Sequence, residues 1–404
     1  MTLAAASCYD AAMRSLPVAV RLVVCNAGLA FLASACQLVL DPDSYSGGNG
    51  GSNPDGGPGT DGGSTLQCDN EQTFAHLKDI SLPSPGEALV LDDTSGNYSL
   101  DTDGLQLSHP AVNLPAVALQ HIKQADGTMA AVLVVPRFEI ARNAILRATG
   151  TRPLIIVSTG DILVGGEIDV SSSATGKGAG ANTAPGCAAG GDGKAGLFNA
   201  AGGRGGGGGG GGFGAPGGAG GDGDTANTTG GSRGGSNLAS FTESVRGGCQ
   251  GGGGRTSTGE KSGGEGGGAI QLSACGMIQL TSGAFLRASG ASGSADTTVS
   301  GSGGGSGGYI GLDANRVIAQ ALPPIQLLAN GGDGGPGTSS GGVGGNFGMP
   351  QGADGSSDTS GGGGGGGVGV IWIRSKSALT FDNVDVSPKP LCDNMTTMPP
   401  QCSL

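Results

Sequence analysis

The sequence predicts an all-β chain: right-handed parallel β-helix coils carrying long glycine-rich insertions of polyglycine-II type, with a β-sandwich bearing polyglycine insertions as the alternative. Three observations carry that prediction. Glycine fills 89 of 404 positions, about three times its usual share of roughly 7%, and 71 of the 89 lie between Gly176 and Gly369. Hydrophobic residues still reach 36% and come in short β-like runs, which argues against a disordered polymer. Those runs repeat: segments 131–150, 154–173, 269–290, 309–331 and 369–387 each hold three apolar stretches and two tight turns. Such a unit cannot bury its inward side chains alone, whereas stacked units share a core.

Composition also excludes classes. Glycine does not recur every third position along the chain and there are only 20 prolines, so this is not collagen. With 3% aromatic and 13% charged residues, one large conventional enzyme core is ruled out.

In chain order, residues 1–35 read as a signal peptide whose natural start is Met13. Arg14 and Arg21 precede the apolar run Leu22–Leu32, which is too short to span a bilayer comfortably, and Ala33-Ser34-Ala35 lead into Cys36. The end of this segment resembles a bacterial lipobox, in which the cysteine is lipidated; Leu32 sits one place further from Cys36 than the usual pattern has it. The expectation is a lipoprotein held through Cys36, with Gln37 suiting outer-membrane sorting; simple secretion is the alternative. Nothing after Cys36 is long and apolar enough for a membrane-spanning helix. Residues 36–67 then form a Gly/Pro/Ser tether with the composition of a flexible coil.

Residues 68–130 have ordinary composition and read as a β-rich cap, with a hairpin from Val117–Ile122 to Met129–Val135 turning at Asp126-Gly127. Residues 131–390 hold the coils. The phrases Asn143-Ala-Ile-Leu-Arg-Ala-Thr-Gly150 and Gly283-Ala-Phe-Leu-Arg-Ala-Ser-Gly290 make the repeat more than composition. Glycine-rich excursions leave the coils over 174–268, 291–308 and 332–368. They are either mobile or paired side by side as extended strands with three residues per turn, whose backbone groups are free for neighbours. Residues 391–404 read as a tail closed by a disulfide.

Once the leader is removed and Cys36 lipidated, six cysteines remain, which suits three disulfides in an oxidising compartment. Proximity favours Cys187 with Cys249 and Cys392 with Cys402, leaving Cys68 with Cys275. No CxxC pair supports a zinc reading. The net charge of −12 excludes nucleic acid and an anionic membrane surface as partners.

Candidate chemistry is sparse. His76, His109 and His121 lack metal-ligand spacing. Gly304-Gly-Ser306-Gly-Gly308 formally matches a nucleophile elbow, but such a match is expected by chance inside a glycine tract. Gly217–Asp224 is similar to a calcium β-roll nonapeptide, yet Asp224 replaces its large apolar residue and no tandem copy follows. Enzymatic β-helices align carboxylates on successive coils, whereas Asp161, Met277, Arg316 and Ala378 share the second-strand entrance here. Arg147, Asp169, Arg287 and Asp385 on the third strands read as a solvated charge ladder. Phe198, Phe213, Phe241 and Phe347 read as pegs that fold the excursions back, or as adhesive tips; Trp372 reads as core or end cap.

With Ser99-Leu-Asp-Thr-Asp103, Ile145–Val157, Gly166-Glu-Ile-Asp-Val-Ser171 and the tract-embedded Cys187 and Cys249 in view, the chain resembles a family of glycine-rich secreted or lipoprotein sequences of myxobacteria and their relatives. It is also similar, mainly in glycine composition, to the glycine-rich ectodomain of anaplastic lymphoma kinase, where glycine helices pack together. No kinase motif is present. The expected function is a non-enzymatic cell-surface scaffold or adhesin for a surface glycan or protein, held to a membrane through its lipid. It needs no catalytic residue, metal or cofactor; the alternative is a carbohydrate-active β-helix enzyme.

Overall fold

The computed structural model describes Cys68 and residues 74–77, 82–92, 97–111, 113–197, 205–224, 228–236, 244–256, 259–295, 300–377 and 379–394. The leader, Cys36, the tether, Phe198, Phe241, Ala378 and Cys402 lie outside them. The protein is all-β, with strands over 35% of the chain and almost no helix. In chain order the strands are β1 (Leu89–Leu91), β2 (Asn97–Asp101), β3 (Gln106–Ser108), β4 (Ala118–Lys123), β5 (Met129–Val135), β6 (Phe138–Ile140), β7 (Ile145–Thr149), β8 (Leu154–Ser158) and β9 (Ile162–Val164). They continue as β10 (Glu167–Asp169), β11 (Gly254–Thr256), β12 (Gly259–Lys261), β13 (Ala269–Leu280), β14 (Phe285–Arg287), β15 (Tyr309–Leu328), β16 (Val370–Ser375), β17 (Thr380–Ser387) and β18 (Leu391–Asn394). All but the β11–β12 hairpin belong to one curled, mixed, 16-stranded sheet.

Within that sheet the repeats pair in register. The first stretch of each repeat runs parallel to the next as β5, β8, the start of β13, the start of β15, and β16. The middle stretches align β6, β9, the end of β13 and the middle of β15, while β7, β10, β14 and the ends of β15 and β17 form a third ladder. Alternate residues therefore stack into apolar rows. Leu133, Ile156, Leu272, Leu312 and Ile373 occupy one level of the first ladder, and Tyr98, Leu146, Ile168, Leu286, Leu327 and Val386 one level of the third. All are buried, and each fully buried Leu or Ile contributes about 1.5–3 kcal/mol relative to exposure.

The corner between the second and third ladders recurs. Ala141–Ala144 and Thr281–Ala284 close the same turn, with Ala144 and Ala284 N–H groups donating to the Ala141 and Thr281 carbonyls. Its third residue has positive φ, at Asn143 (69°) and Gly283 (92°), and Asn383 (57°) stands at the matching corner of β17. Glycine and asparagine are the residues that reach this region cheaply.

The cap follows the expected pattern. β4 and β5 form the antiparallel hairpin, Gly127 in its turn has φ 85°, and β1 and β2 add to β6 and β7 in parallel. Two disulfides match the pairing read from the sequence, Cys187–Cys249 and Cys68–Cys275. The first closes a loop worth about 4 kcal/mol in the chain-entropy model, and the second, with a sequence separation of 207, about 5 kcal/mol. Cys392, on β18, is also disulfide-bonded.

Candidate functional site

The most unusual feature is what the excursions do. Segment 205–212 is eight consecutive glycines, all buried. Successive N–H groups point to three different neighbours in rotation: Gly207 and Gly210 donate to Gly221 and Gly218, Gly208 and Gly211 to Gly301 and Gly304, and Gly209 and Gly212 to Lys194 and Gly191, all at 2.7–2.9 Å. Its carbonyls accept from three more strands, with Gly207 and Gly210 bonded by Gly231 and Gly234, Gly208 and Gly211 by Gly364 and Gly367, and Gly209 by Gly252. The period of three is that of an extended three-residue-per-turn helix with no internal hydrogen bonds. From Gly207 to Gly211 every backbone N–H and carbonyl thus finds an interstrand partner.

Close approach explains the composition. A Cβ built on Gly210 would lie 1.9 Å from the Gly365 carbonyl oxygen, and backbone there cannot swing aside. At the rim the rule relaxes to Gly-Gly-x. In Gly331-Gly-Asp333-Gly-Gly-Pro336 the third residues are exposed, and Val343 is the exposed third residue after Gly341-Gly342. Rim side chains also finish the hydrogen bonding. Asp354 Oδ1 accepts from Ala219 N–H, Asp222 Oδ1 from Gly230 N–H, and Asp333 Oδ1 from Gly344 N–H. Asp222, from the calcium-like stretch, is therefore an edge cap.

The Cys187–Cys249 disulfide lies inside this glycine body beside Asp192, with the three ligand-type atoms within 4.8 Å of one another; both sulfurs are committed to the disulfide. Asp192 accepts from Gln250 N–H, and burial pushes its carboxyl above the ordinary value against that bond and nearby Lys194. An open polar groove of about 450 Å³ runs past Asp192, Lys194, Gln250 and Ser262. Ser306, the elbow-like serine, is fully buried; its Oγ accepts from Cys249 N–H and donates to the Cys249 carbonyl. That is a structural role.

On the third ladder, Arg147, Asp169 and Arg287 share a row. Arg147 donates to Asp169 at 2.5 Å, Arg287 lies 3.6 Å from Glu167, and the Arg287 guanidinium covers the Phe285 ring. Burial raises the Glu167 carboxyl, opposed by Arg287. Asp385 is a correction to the expected ladder: it pairs with Gln326, whereas Ser387 meets Leu328 in the Arg287 row. The last repeat reaches its third stretch within a single strand and shifts register between Gln320 and Ile325, which places Asp385 two residues short of that row, level with Phe285 and Glu167. At the second-strand entrance Met277 pairs with Arg316, and Asp161 Oδ1 accepts the Met277 N–H. The phenylalanines divide: Phe213 is 1% exposed and pegs the glycine body to the outer face of the first ladder, while Phe347 is 60% exposed beside exposed Val343 and Met349.

The excursion is pinned to the cap as well. Gln124 and Val245 exchange two hydrogen bonds, and Arg246 pairs with Asp126 at 2.7 Å. Burial opposes the Asp126 charge, but hydrogen bonds from Thr128 and Ser244 together with Arg246 hold its carboxyl below the usual range.

One polar cluster escaped the sequence reading. Outside the first ladder, the turn Phe74–Leu77 lies over Tyr309, Asp313, Trp372 and Arg374. Asp313 Oδ2 accepts from Ala75 N–H at 3.0 Å and from Arg374 Nη1 at 3.2 Å, and His76 meets the Trp372 ring edge-on at 5.1 Å. Trp372, 7% exposed, is covered by this turn and is not an end cap. The sequence signal was one acidic residue at an outward position in an otherwise apolar strand, Tyr309–Ala314. Compared with known protein families, curated proteins and solved structures, the chain finds no match.

Proposed function

We propose that this chain is a non-enzymatic cell-surface scaffold, in which the five repeats form a right-handed parallel β-helix and the excursions a polyglycine-II lattice standing beside it. A lipid on Cys36 holds it to an outer membrane. The observation that carries the reading is the interlocking of all three excursions around segment 205–212. A strand bonded to several others cannot swing independently, so the glycine tracts make a stiff projection rather than loose loops. Its disulfides fit an oxidising, exported setting.

The contact group is the exposed apolar turn at the rim, Val343, Phe347 and Met349, and the ligand class is a surface glycan or protein. Asn346 Oδ1 accepts from Gly348 and Met349 N–H groups, which presets the turn and lowers the ordering cost of binding. The test is adhesion of the full chain to cells and matrix polysaccharide. Phe347→Ser with Met349→Ser should lower retention by about tenfold or more if the turn is a contact anchor, and Cys36→Ala should release the protein from membranes. Unchanged retention removes the adhesin role, persistent membrane association removes the lipid, and polysaccharide turnover by the wild-type chain overturns the scaffold reading.

A further inference from the structure

We infer that the Phe74–Leu77 turn is a proton-sensitive clasp over the outer face of the first ladder, which the Cys68–Cys275 disulfide keeps locked. The clasp covers a carboxylate that is poorly served. The Asp313 side chain is 1% exposed; one oxygen takes the Ala75 N–H and Arg374, and Oδ1 has no hydrogen-bond partner among the described residues. Among the described residues, five elements face it. Gln271 and Ser273 on β13 are neutral, Tyr309 on β15 donates its hydroxyl to Gln271, Arg374 on β16 is the compensating charge and Asp393 on β18 opposes it, and the clasp itself brings His76. A buried charge with half its hydrogen-bonding capacity empty is costly.

Closing the clasp strips water from Asp313, and opening it returns water. The ionised carboxylate therefore pushes the turn outward, while the neutral acid lets it lie. Burial raises the Asp313 carboxyl to about 6, with Asp393 adding to the rise and Arg374 and the Ala75 N–H opposing it. An aspartate in water titrates near 3.9, so the closed form holds its proton about two pH units longer. Closure is most favoured below about pH 4, weakens as pH rises through 6, and is about 100-fold less favoured above it. The disulfide overrides this by tethering the clasp to Cys275 beside the cluster.

Trp372 is the chain's one tryptophan and lies under the clasp, so acrylamide quenching of its fluorescence reads opening directly. In the full chain carrying Cys68→Ser with Cys275→Ser, quenching should be higher at pH 7 than at pH 4, the rise falling between about pH 4 and 6, circular dichroism staying unchanged. Wild type should stay protected at both pH values, and adding Asp313→Asn should keep the unlocked protein protected at both. His76→Gln should leave the response in place. Equal quenching at both pH values in the unlocked protein, a response that survives Asp313→Asn, or one that vanishes with His76→Gln each overturns the inference. If the unlocked protein does not fold, urea unfolding of the disulfide-intact chain decides. Wild-type stability should fall from pH 5 to 7 and Asp313→Asn should shrink that fall; an unchanged fall overturns the clasp.

Discussion

The paired repeats and the glycine body solve one problem, the satisfaction of buried backbone groups, by opposite means. In the repeats, parallel ladders pair the backbone while Leu, Ile and Val fill the space between them, so the hydrophobic effect repays the ordering entropy. In the glycine body, hydrogen bonds radiate in three directions from each strand and the strands sit too close for any Cβ. No rotamer entropy is lost there, but the backbone term of about 1–2 kcal/mol per residue is larger for glycine than for any other residue. The difference teaches that side chains set the register in one region and that their absence sets the spacing in the other.

The contrast predicts a reversal of the usual tolerance to substitution. Gly210→Ala should be the most damaging change, about 4 kcal/mol or more, because the new methyl meets backbone 1.9 Å away and overpacking finds no flexible neighbour to yield; chemical denaturation measures it. Leu272→Ala, a deletion in the central apolar row, should cost about 3 kcal/mol by the same assay. Gly283→Ala, at the positive-φ corner, should cost about 1–2 kcal/mol. Arg147→Ala should cost about 1 kcal/mol or less, with the difference shrinking in high salt, since the partly exposed pair with Asp169 is screened. Gly176→Ala, where a Cβ would meet nothing within 4 Å, should stay within about 0.5 kcal/mol. If Gly210→Ala proves as mild as Gly176→Ala, the close-packed description of the glycine body fails.

Calorimetry offers a subtler check on the same contrast. Unfolding of the glycine body exposes mostly peptide groups, which lower the heat capacity change, so the value for the whole chain should fall below about 12 cal/mol/K per residue.

Much of the coil region was legible. The repeated phrases around Leu146 and Leu286 placed those residues in register, and the αL corner could be read from Asn143 and Gly283. The partners of Cys68 and Cys187 followed from spacing and elimination. Asp385 was misplaced because a register shift inside β17 leaves no mark on an alternating pattern. Phe347 and Phe213 have the same composition around them, yet one is exposed and the other is a peg. The rim and interior of the glycine body were readable in principle, since Gly-Gly-x against unbroken glycine separates 331–336 from 205–212, but the period of three inside each tract went unused. The Asp313 cluster was hidden because its cover, Phe74–Leu77, is distant in sequence and its anchor at Cys275 lies in another repeat.

By itself, then, the sequence determined the all-β class, the five repeats, the rows of apolar residues and two disulfides, because period-two patterning and cysteine spacing are carried by side chains. Only the tertiary structure decided which glycine strand lies against which, and that Asp313 is covered. Polyglycine has no side chains with which to encode a partner, so its neighbours are chosen by where the strands of the sheet release and recapture the chain.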